Sequence, residues 1–552
     1  MPDEPRTDHS AHHEVVVHHE PAAHLKIPAS FNITDYFLYV PALAHPGRAA
    51  ILGEPAPVSY GELASLTRRV SLALSREGIA PAERVLIVLP DSVEFIAAFM
   101  GIVAIGAVAV PVNPWGRESD YAHFLRDSGA RLAIVHENAL AEFIPAAKGL
   151  RASSIVVVGE NLVAGAKSAA PAGSLRWPKW LPASAEHKAT RNTLSTDTAF
   201  FLYTSGSGGT PKAAVHQHKD MLVTARSFAH GILGITPEDR TYSVSKLFFA
   251  YGLGNGMYFP FSAGAGTVLD PERPKPERTA ALLVAYRPTI FFAVPTFYSA
   301  LLHAAEQGLP IDFSSVRLAV SAGERLPPEI LEKFKARFGL EILDAIGSTE
   351  MLHMFLSPEP GRGRPGSCGF PVPGYDAKIV DDEGVPVPQG EIGNLWVKGA
   401  SAFSEYWNIP ELTKQTKMGD WVATGDKFFT DADGYYHYCG RADDMMKVSG
   451  MWVAPTEVEN ALLGHPSVAE VAVVGVIESD GLTRPLAFVV MPPGIAPTDV
   501  LAEEMRKFVR GKLAGHKCPA EIKFLDALPK TATGKIQRFR LRSGSSEQAN
   551  MP

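Results

Sequence analysis

Short apolar runs recur along the chain: "RVLIVLP" (84–90), "ARLAIVH" (130–136), "SSIVVVG" (153–159), "TAFFLYT" (198–204), "TIFFAVP" (289–295) and "VRLAVSAG" (316–323). Between them lie segments of helical length, such as "SVEFIAAFMGIVAI" and "PPEILEKFKARFG". A strand that is apolar on both faces has to be covered on both. A parallel neighbour needs a crossover long enough to carry a helix. The alternation predicts an α/β fold whose large N-terminal domain has parallel-type sheets covered by helices. From about residue 366 the texture changes. "DAKIVDDEGVPVPQGEIGNLWVKG" alternates polar and apolar residues between turn pairs, which predicts a β-rich, antiparallel subdomain. Farther on, "PTEVENALLGHPSVAEVAVVGV" reads as a helix and then a strand of a small C-terminal α+β domain. The expected division is a tail at 1–28, the large domain at 29–442, the small domain at 443–542 and a flexible tail at 543–552, with the boundary at "GRADDMMK".

A chain of 552 residues, 46% hydrophobic, exceeds what one core holds, in agreement with that division. Its formal net charge of −7 offers no basic field for nucleic acid or an anionic membrane, so neither is an expected partner. Cys368, Cys439 and Cys518 have no metal-type spacing and suit a reducing, cytoplasmic compartment. The opening "MPDEPRTDHSAHHEVVVHHEPAAH" lacks the basic start and apolar core of a secretory signal and reads as a disordered His-rich tail, with metal binding as the alternative. "FIAAFMGIVAIGAVAVPVNP" approaches the length of a membrane span, but Gly101, Gly106 and Pro111 divide it into a buried helix and a buried strand.

"FLYTSGSGGTPKAAVHQH" (201–218) has the glycines and hydroxyls that turn backbone N–H groups toward an anion, and Lys212 adds a point charge. It is not a Walker loop, because Pro211 precedes that lysine and Ala213 follows it in place of a magnesium-binding hydroxyl. Taken alone, such a stretch is more often a surface turn.

Four further motifs follow in order: "IGSTE" (346–350), "WVATGD" (421–426), "GRADDMMKVSG" (440–450) and "PKTATGKIQR" (529–538). Singly they read as a capped turn, a tight turn or a loop lysine. As an ordered set over roughly residues 30 to 542 they resemble the acyl-adenylate-forming (ANL) superfamily of acyl-CoA synthetases, adenylation domains and luciferases. "KLFFAYGLGNG", "SAGERLPPEI", "GSTEMLHMFLS" and "DDMMKVSGMWVAPTEVE" are most similar to benzoate–CoA ligases. The resemblance implies the ANL fold, whose small C-terminal domain is mobile. It also implies ATP, magnesium (Mg2+) and coenzyme A as reaction partners and an aromatic carboxylic acid as substrate, in a monomer or homodimer.

Residue by residue, the resemblance implies that Thr204, Ser205, Gly206, Ser207, Gly208, Gly209, Thr210 and Lys212 cradle phosphates, and that Glu350 with Thr349 holds magnesium. Asp426 and Arg441 would lie at the ribose, and Gly323, Glu324, Asp344 and Ala345 at adenine. For Glu324 and Asp344 loop-tightening is the alternative. Lys535 would bridge the carboxylate and the α-phosphate. Asp443 would be the hinge, and Lys447, Ser449, Gly450 and Trp452 would belong to the thioester-forming state. Phe249, Ala250, Tyr251, Gly347, His353 and Met354 would line a flat slot for a planar ring. His353 would bond either a ring substituent or a backbone carbonyl.

Two positions depart from the family pattern. Gly208 stands where a threonine is common and Ala213 where a glycine is common, so one hydroxyl donor is missing from the phosphate loop. The competing functions are adenylation with transfer to a separate carrier protein and non-catalytic nucleotide binding. Retention of Glu350, Asp426, Arg441 and Lys535 opposes the latter.

Overall fold

A computed structural model describes residues 26–53, 55–159, 171–185, 190–205, 210–448, 451–477, 483–492, 494–530, 536–538 and 540–542. The first 25 residues and those after 542, where most of one expected tail and all of the other fall, lie outside the described residues.

Each apolar run forms a strand. The run at 84–90 becomes strand Arg84–Val88, that at 130–136 Leu132–His136, and that at 153–159 Ile155–Val158. With Leu175–Arg176, Val108–Pro111, Thr198–Ser205 and Pro211–Gln217 they make a seven-stranded sheet. That sheet is parallel except at its last pair, Thr198–Ser205 with Pro211–Gln217. A second seven-stranded sheet runs Ile342–Asp344, Leu318–Ser321, Ile290–Ala293, Arg240–Ser243, Gly266–Val268, Ala49–Leu52 and Val58–Ser59, again parallel up to its last pair.

The long apolar stretch divides as expected, into helix Val93–Ala104 and strand Val108–Pro111. Every residue of that helix from Phe95 to Ala104 is buried, which explains an apolar composition all round its circumference. Among the described residues no helix is long and apolar enough to cross a membrane. "PPEILEKFKARFG" gives helix Pro328–Phe338, with proline in its first turn and Gly339 as a left-handed cap.

The alternating region past residue 366 is antiparallel, as its period predicts. Tyr375–Val380, Gly393–Gly399, Trp421–Thr430 and Lys417–Met418 lie side by side, and Tyr436–Arg441 pairs with Trp421–Thr430. After a single 3-10 turn at Ala442–Asp444 come a hairpin, Met446–Val448 with Met451–Val453, and helix Pro455–Leu463. A three-stranded sheet of Glu470–Ile477, Thr483–Val490 and Glu521–Phe524 follows. Met446, Val458, Leu462, Val473, Val489 and Met505 pack into a core separate from that of the large sheets.

Candidate active site

The strands that flank the glycine-rich stretch pair antiparallel with one another, unlike the strand and helix that flank a Walker loop. Thr204 faces Lys212 and Ser205 faces Pro211 across the antiparallel pair. Gly206, Ser207, Gly208 and Gly209 lie outside the described residues, as does the Ser205 side chain, and Thr210 is exposed where the chain returns.

The free edge of strand Pro211–Gln217 is taken by residues 404–407. Ser404 N donates to Val215 O, Val215 N to Glu405 O and Trp407 N to Ala213 O, each at 2.9 Å. This strap carries Tyr406 to Lys212, whose Nζ lies 3.9 Å from the ring centroid, a cation–π distance. The Tyr406 hydroxyl donates to Glu350 Oε1 at 2.5 Å, and Phe403 N donates to the Glu350 carbonyl at 2.7 Å. Burial and the Glu350 charge push the Tyr406 phenol up, so it keeps its proton and remains a donor. Burial lowers the Lys212 ammonium against the pull of Glu350.

Behind this group, His216 Nε2 donates to the Thr349 carbonyl at 2.8 Å while its Nδ1 lies 2.9 Å from Asp220 Oδ2. Asp220 also accepts from Gln217 N at 2.9 Å and from Lys219 Nζ at 3.0 Å. Both side chains of the His216–Asp220 pair are 0% exposed. They tie the turn bearing Thr349 and Glu350 to strand Pro211–Gln217.

Asp426 and Arg441 are opposite one another in the antiparallel sheet and joined by an ion pair at 3.2 Å. Arg441 Nη1 also donates to Thr424 O at 3.0 Å, and the Asp426 charge raises the guanidinium further. Gly425 has a φ of +76°, and a Cβ there would come within 2.9 Å of the Arg441 Nη2. Asp344 pairs with Ser321 in the second parallel sheet, and Ala345 N donates to Ser321 O at 2.9 Å. Gly323 and Glu324 follow that strand, so all four residues expected at adenine gather at the carboxyl ends of two neighbouring strands. Burial pushes the Asp344 carboxyl well up, opposed by Arg325 and by the Leu326 N–H.

Phe249, Ala250 and Tyr251 begin helix Ala250–Leu253. The Tyr251 hydroxyl donates to Val320 O at 3.0 Å, and its ring lies 5.7 Å from that of His353. His353 is 2% exposed among the rings of Phe228, Tyr251 and Phe259, and neither of its nitrogens has a hydrogen-bond partner among the described residues. Burial pushes the imidazole down to about 3, only partly opposed by the Tyr251 backbone, and the ring is neutral at neutral pH. Met354 is buried and pairs with Gly347, where a Cβ would come within 2.4 Å of the His353 carbonyl oxygen. No side chain fits at 347 without moving that strand.

Asp443 is exposed in the turn after Arg441, whereas its neighbour Asp444 pairs with Arg542 and lies 3.9 Å from Arg538. Arg538 also pairs with Glu459 at 2.7 Å. Lys447 and Trp452 face each other in the hairpin Met446–Val448 with Met451–Val453. Their side chains, and Ser449 and Gly450 at its tip, lie outside the described residues. So does Lys535; on either side of the segment 531–535, Lys530 and Ile536 form an isolated antiparallel bridge.

Two family models match the chain: that of the AMP-binding enzymes over residues 40–407, and that of the AMP-binding enzyme C-terminal domain over 457–535. The chain belongs to the AMP-binding enzyme family. Among relatives of this AMP-binding enzyme, the benzoate–CoA ligase of Thauera aromatica is 41% identical over 523 residues, 94% of this chain and 97% of that protein. A benzoate–CoA ligase structure from Burkholderia xenovorans matches with a TM-score of 0.84 and 41% identity, covering 93% of this chain and 100% of the other. An anthranilate–CoA ligase in complex with anthranoyl-AMP matches with a TM-score of 0.88 and 38% identity, covering 95% and 99%.

Sequence reasoning missed Tyr406, the strap that carries it, and the His216–Asp220 pair. The i, i+4 spacing of His216 and Asp220 was a usable signal for the pair. Nothing local marked the strap, because its hydrogen bonds join positions almost two hundred residues apart.

Proposed function

We propose that this AMP-binding enzyme is an ATP-dependent aromatic carboxylate–CoA ligase acting on benzoate or a substituted benzoate. The observation that carries the reading is the junction of Lys212, Tyr406 and Glu350, which sets a cation beside a carboxylate at the mouth of the glycine-rich hairpin. The family and the benzoate- and anthranilate-ligating relatives support the same reading.

In the proposed first step an oxygen of the aromatic carboxylate attacks the α-phosphorus of ATP. The bond from that phosphorus to the bridging oxygen breaks, and pyrophosphate leaves with the electron pair. In the second step the thiol of coenzyme A gives up its proton, its sulfur attacks the acyl carbon, and AMP departs. Two anions meet in the first step, so the protein's contribution is preorganised positive charge and hydrogen-bond donors.

Lys212 and the hairpin's N–H groups hold the β- and γ-phosphates. Asp426 accepts from the ribose hydroxyls, with Arg441 fixing its carboxylate, and residues 323, 324, 344 and 345 border adenine. Lys535 bridges the reacting groups during adenylation. Asp443 is the hinge at the boundary between the large domain (29–442) and the small one (443–542), and Lys447, Ser449, Gly450 and Trp452 serve thioester formation. Phe249, Ala250, Tyr251, Gly347, His353 and Met354 wall the ring slot.

Magnesium fits this donor set. Among the described residues no cluster of three or more His, Cys, Asp or Glu could cage an ion. Mg2+ needs only one or two carboxylates beside phosphates and water. Glu350, with Thr349 next to it, supplies that ligand, and the ion would neutralise phosphate charge.

The test is acid-dependent AMP formation with benzoate, hydroxybenzoates, aminobenzoates, cyclohexanecarboxylate and short fatty acids, each with ATP, Mg2+ and coenzyme A. Turnover confined to the aromatic acids is expected. Equal or better turnover of short fatty acids would overturn the substrate assignment.

A further inference from the structure

Three strand ends meet behind the aromatic segment. Asp91 follows strand Arg84–Val88 of the first large sheet, Lys246 follows Arg240–Ser243 of the second, and Asp270 follows Gly266–Val268. All three are nearly sealed, at 4%, 5% and 2% exposure. Asp91 Oδ1 accepts from Leu247 N at 2.8 Å, and its Oδ2 lies 3.9 Å from Lys246 Nζ. Lys246 Nζ donates to the Asp270 carbonyl oxygen at 2.6 Å, while the Asp270 carboxylate accepts from Arg278 Nε at 3.2 Å. None of these groups belongs to the phosphate, ribose or adenine constellation.

A buried ion pair is a poor source of stability. The cost of stripping water from two charges rivals their attraction, and apolar residues of similar size often serve as well or better. Burial pushes the Asp91 carboxyl up to about 6 even with Lys246 and the Leu247 N–H opposing it, so desolvation is the largest influence on this group. Another reason for the ionic junction is visible in what it holds. Leu247, bonded to Asp91, opens the segment Leu247–Tyr251. Phe249 N donates to Lys246 O at 3.0 Å, and Leu253 N to Phe249 O at 2.8 Å. The lysine carbonyl thus starts the turn that presents Phe249, Ala250 and Tyr251.

We propose that Asp91 and Lys246 are positioning residues for the acyl substrate: by tying the carboxyl ends of strands from both large sheets to the backbone of Leu247, they fix the aromatic wall of the ring slot. This rests on the ring-slot assignment of the proposed function. The junction acts on the acid and not on the nucleotide, so its loss separates the two Michaelis constants.

The experiment measures KM for the preferred aromatic acid and KM for ATP in the wild type, Asp91→Asn, Asp91→Leu and Lys246→Met. Asp91→Leu removes both the charge and the acceptor for Leu247 N, and a rise in acid KM of roughly tenfold is expected, with ATP KM held within about twofold. Asp91→Asn keeps an oxygen for Leu247 N and is expected to show a smaller rise in acid KM alone. If Asp91→Leu does not fold, Lys246→Met carries the same expectation of a selective rise. Parallel rises in both constants, or an unchanged acid KM in every folded variant, would overturn the proposal. A wild type that turns over no aromatic acid would instead remove the functional reading on which it rests.

Discussion

Tyr406 donates its phenolic hydrogen to Glu350 Oε1, joining a strap at 404–407 to the turn of the "GSTE" motif. The bond sets the orientation of the carboxylate proposed to meet magnesium, and the tyrosine ring supports the Lys212 ammonium. Tyr406→Phe keeps the ring and loses the bond. A hydrogen bond to a charged group is worth about 1.5–3 kcal/mol, so adenylation is expected to fall roughly 10- to 100-fold. Pyrophosphate release measured across a magnesium titration checks this. An unchanged rate and an unchanged magnesium midpoint would detach Tyr406 from the site.

Lys535→Ala separates the two half-reactions. Loss of one preorganised charge is expected to slow benzoate-dependent pyrophosphate release by about 10²-fold or more. Single-turnover conversion of synthetic benzoyl-adenylate with coenzyme A is expected to survive. Equal loss in both assays would give this lysine a shared or structural role.

The buried His216–Asp220 pair is expected to couple stability to activity. Asp220→Ala leaves His216 and Lys219 without their carboxylate, and breaking a buried pair by removing one partner costs about 3–5 kcal/mol. Urea unfolding reads the loss of stability. The magnesium dependence of adenylation, measured where the variant is still folded, reads the loosening of Thr349. A destabilised variant with wild-type magnesium dependence would confine the pair to stability.

Acid sensitivity follows from two histidines held neutral by burial, His353 at about 3 and His218 at about 4 against an ordinary 6.5. The unfolded chain takes up these protons below the ordinary value and the folded chain does not. Stability is therefore fully present above that value and is lost as pH falls toward 4 and then 3. Asp91, pushed up to about 6 from 3.8, works in the opposite direction, because the folded chain protonates first and sheds a burial penalty. His353→Leu is expected to flatten the slope of stability against pH by up to about 1.4 kcal/mol per pH unit. Urea midpoints at roughly pH 7 and pH 5 measure it, and an unaltered slope would show that His353 is not held neutral.

The sheets were legible because their strands are apolar on both faces and bounded by turn residues, as "RVLIVLP" and "TAFFLYT" are. The antiparallel region was legible for the opposite reason, an alternation that leaves one face wet. Lys212 was found from the glycine-rich stretch and Thr204 through the family resemblance, but that they face each other across an antiparallel pair depends on register, which a glycine cluster does not encode. Asp426 and Arg441 carried family motifs, whereas their mutual ion pair is a property of the ladder. Tyr406 and Asp91 were beyond reach, and Lys246, though it opens the motif "KLFFAYGLGNG", carried no sign of its partner. Each does its work through a partner brought near by tertiary packing.

The strap at 404–407 has a second consequence. Without it, strand Pro211–Gln217 would present a row of bare backbone donors and acceptors at the rim of a large sheet, which is a template for pairing with another chain. The residues that bring Tyr406 to Glu350 also sheathe that rim. A substitution that loosens the strap would therefore open a sticky border as well as a slack carboxylate, and selection for a working site doubles here as selection against aggregation.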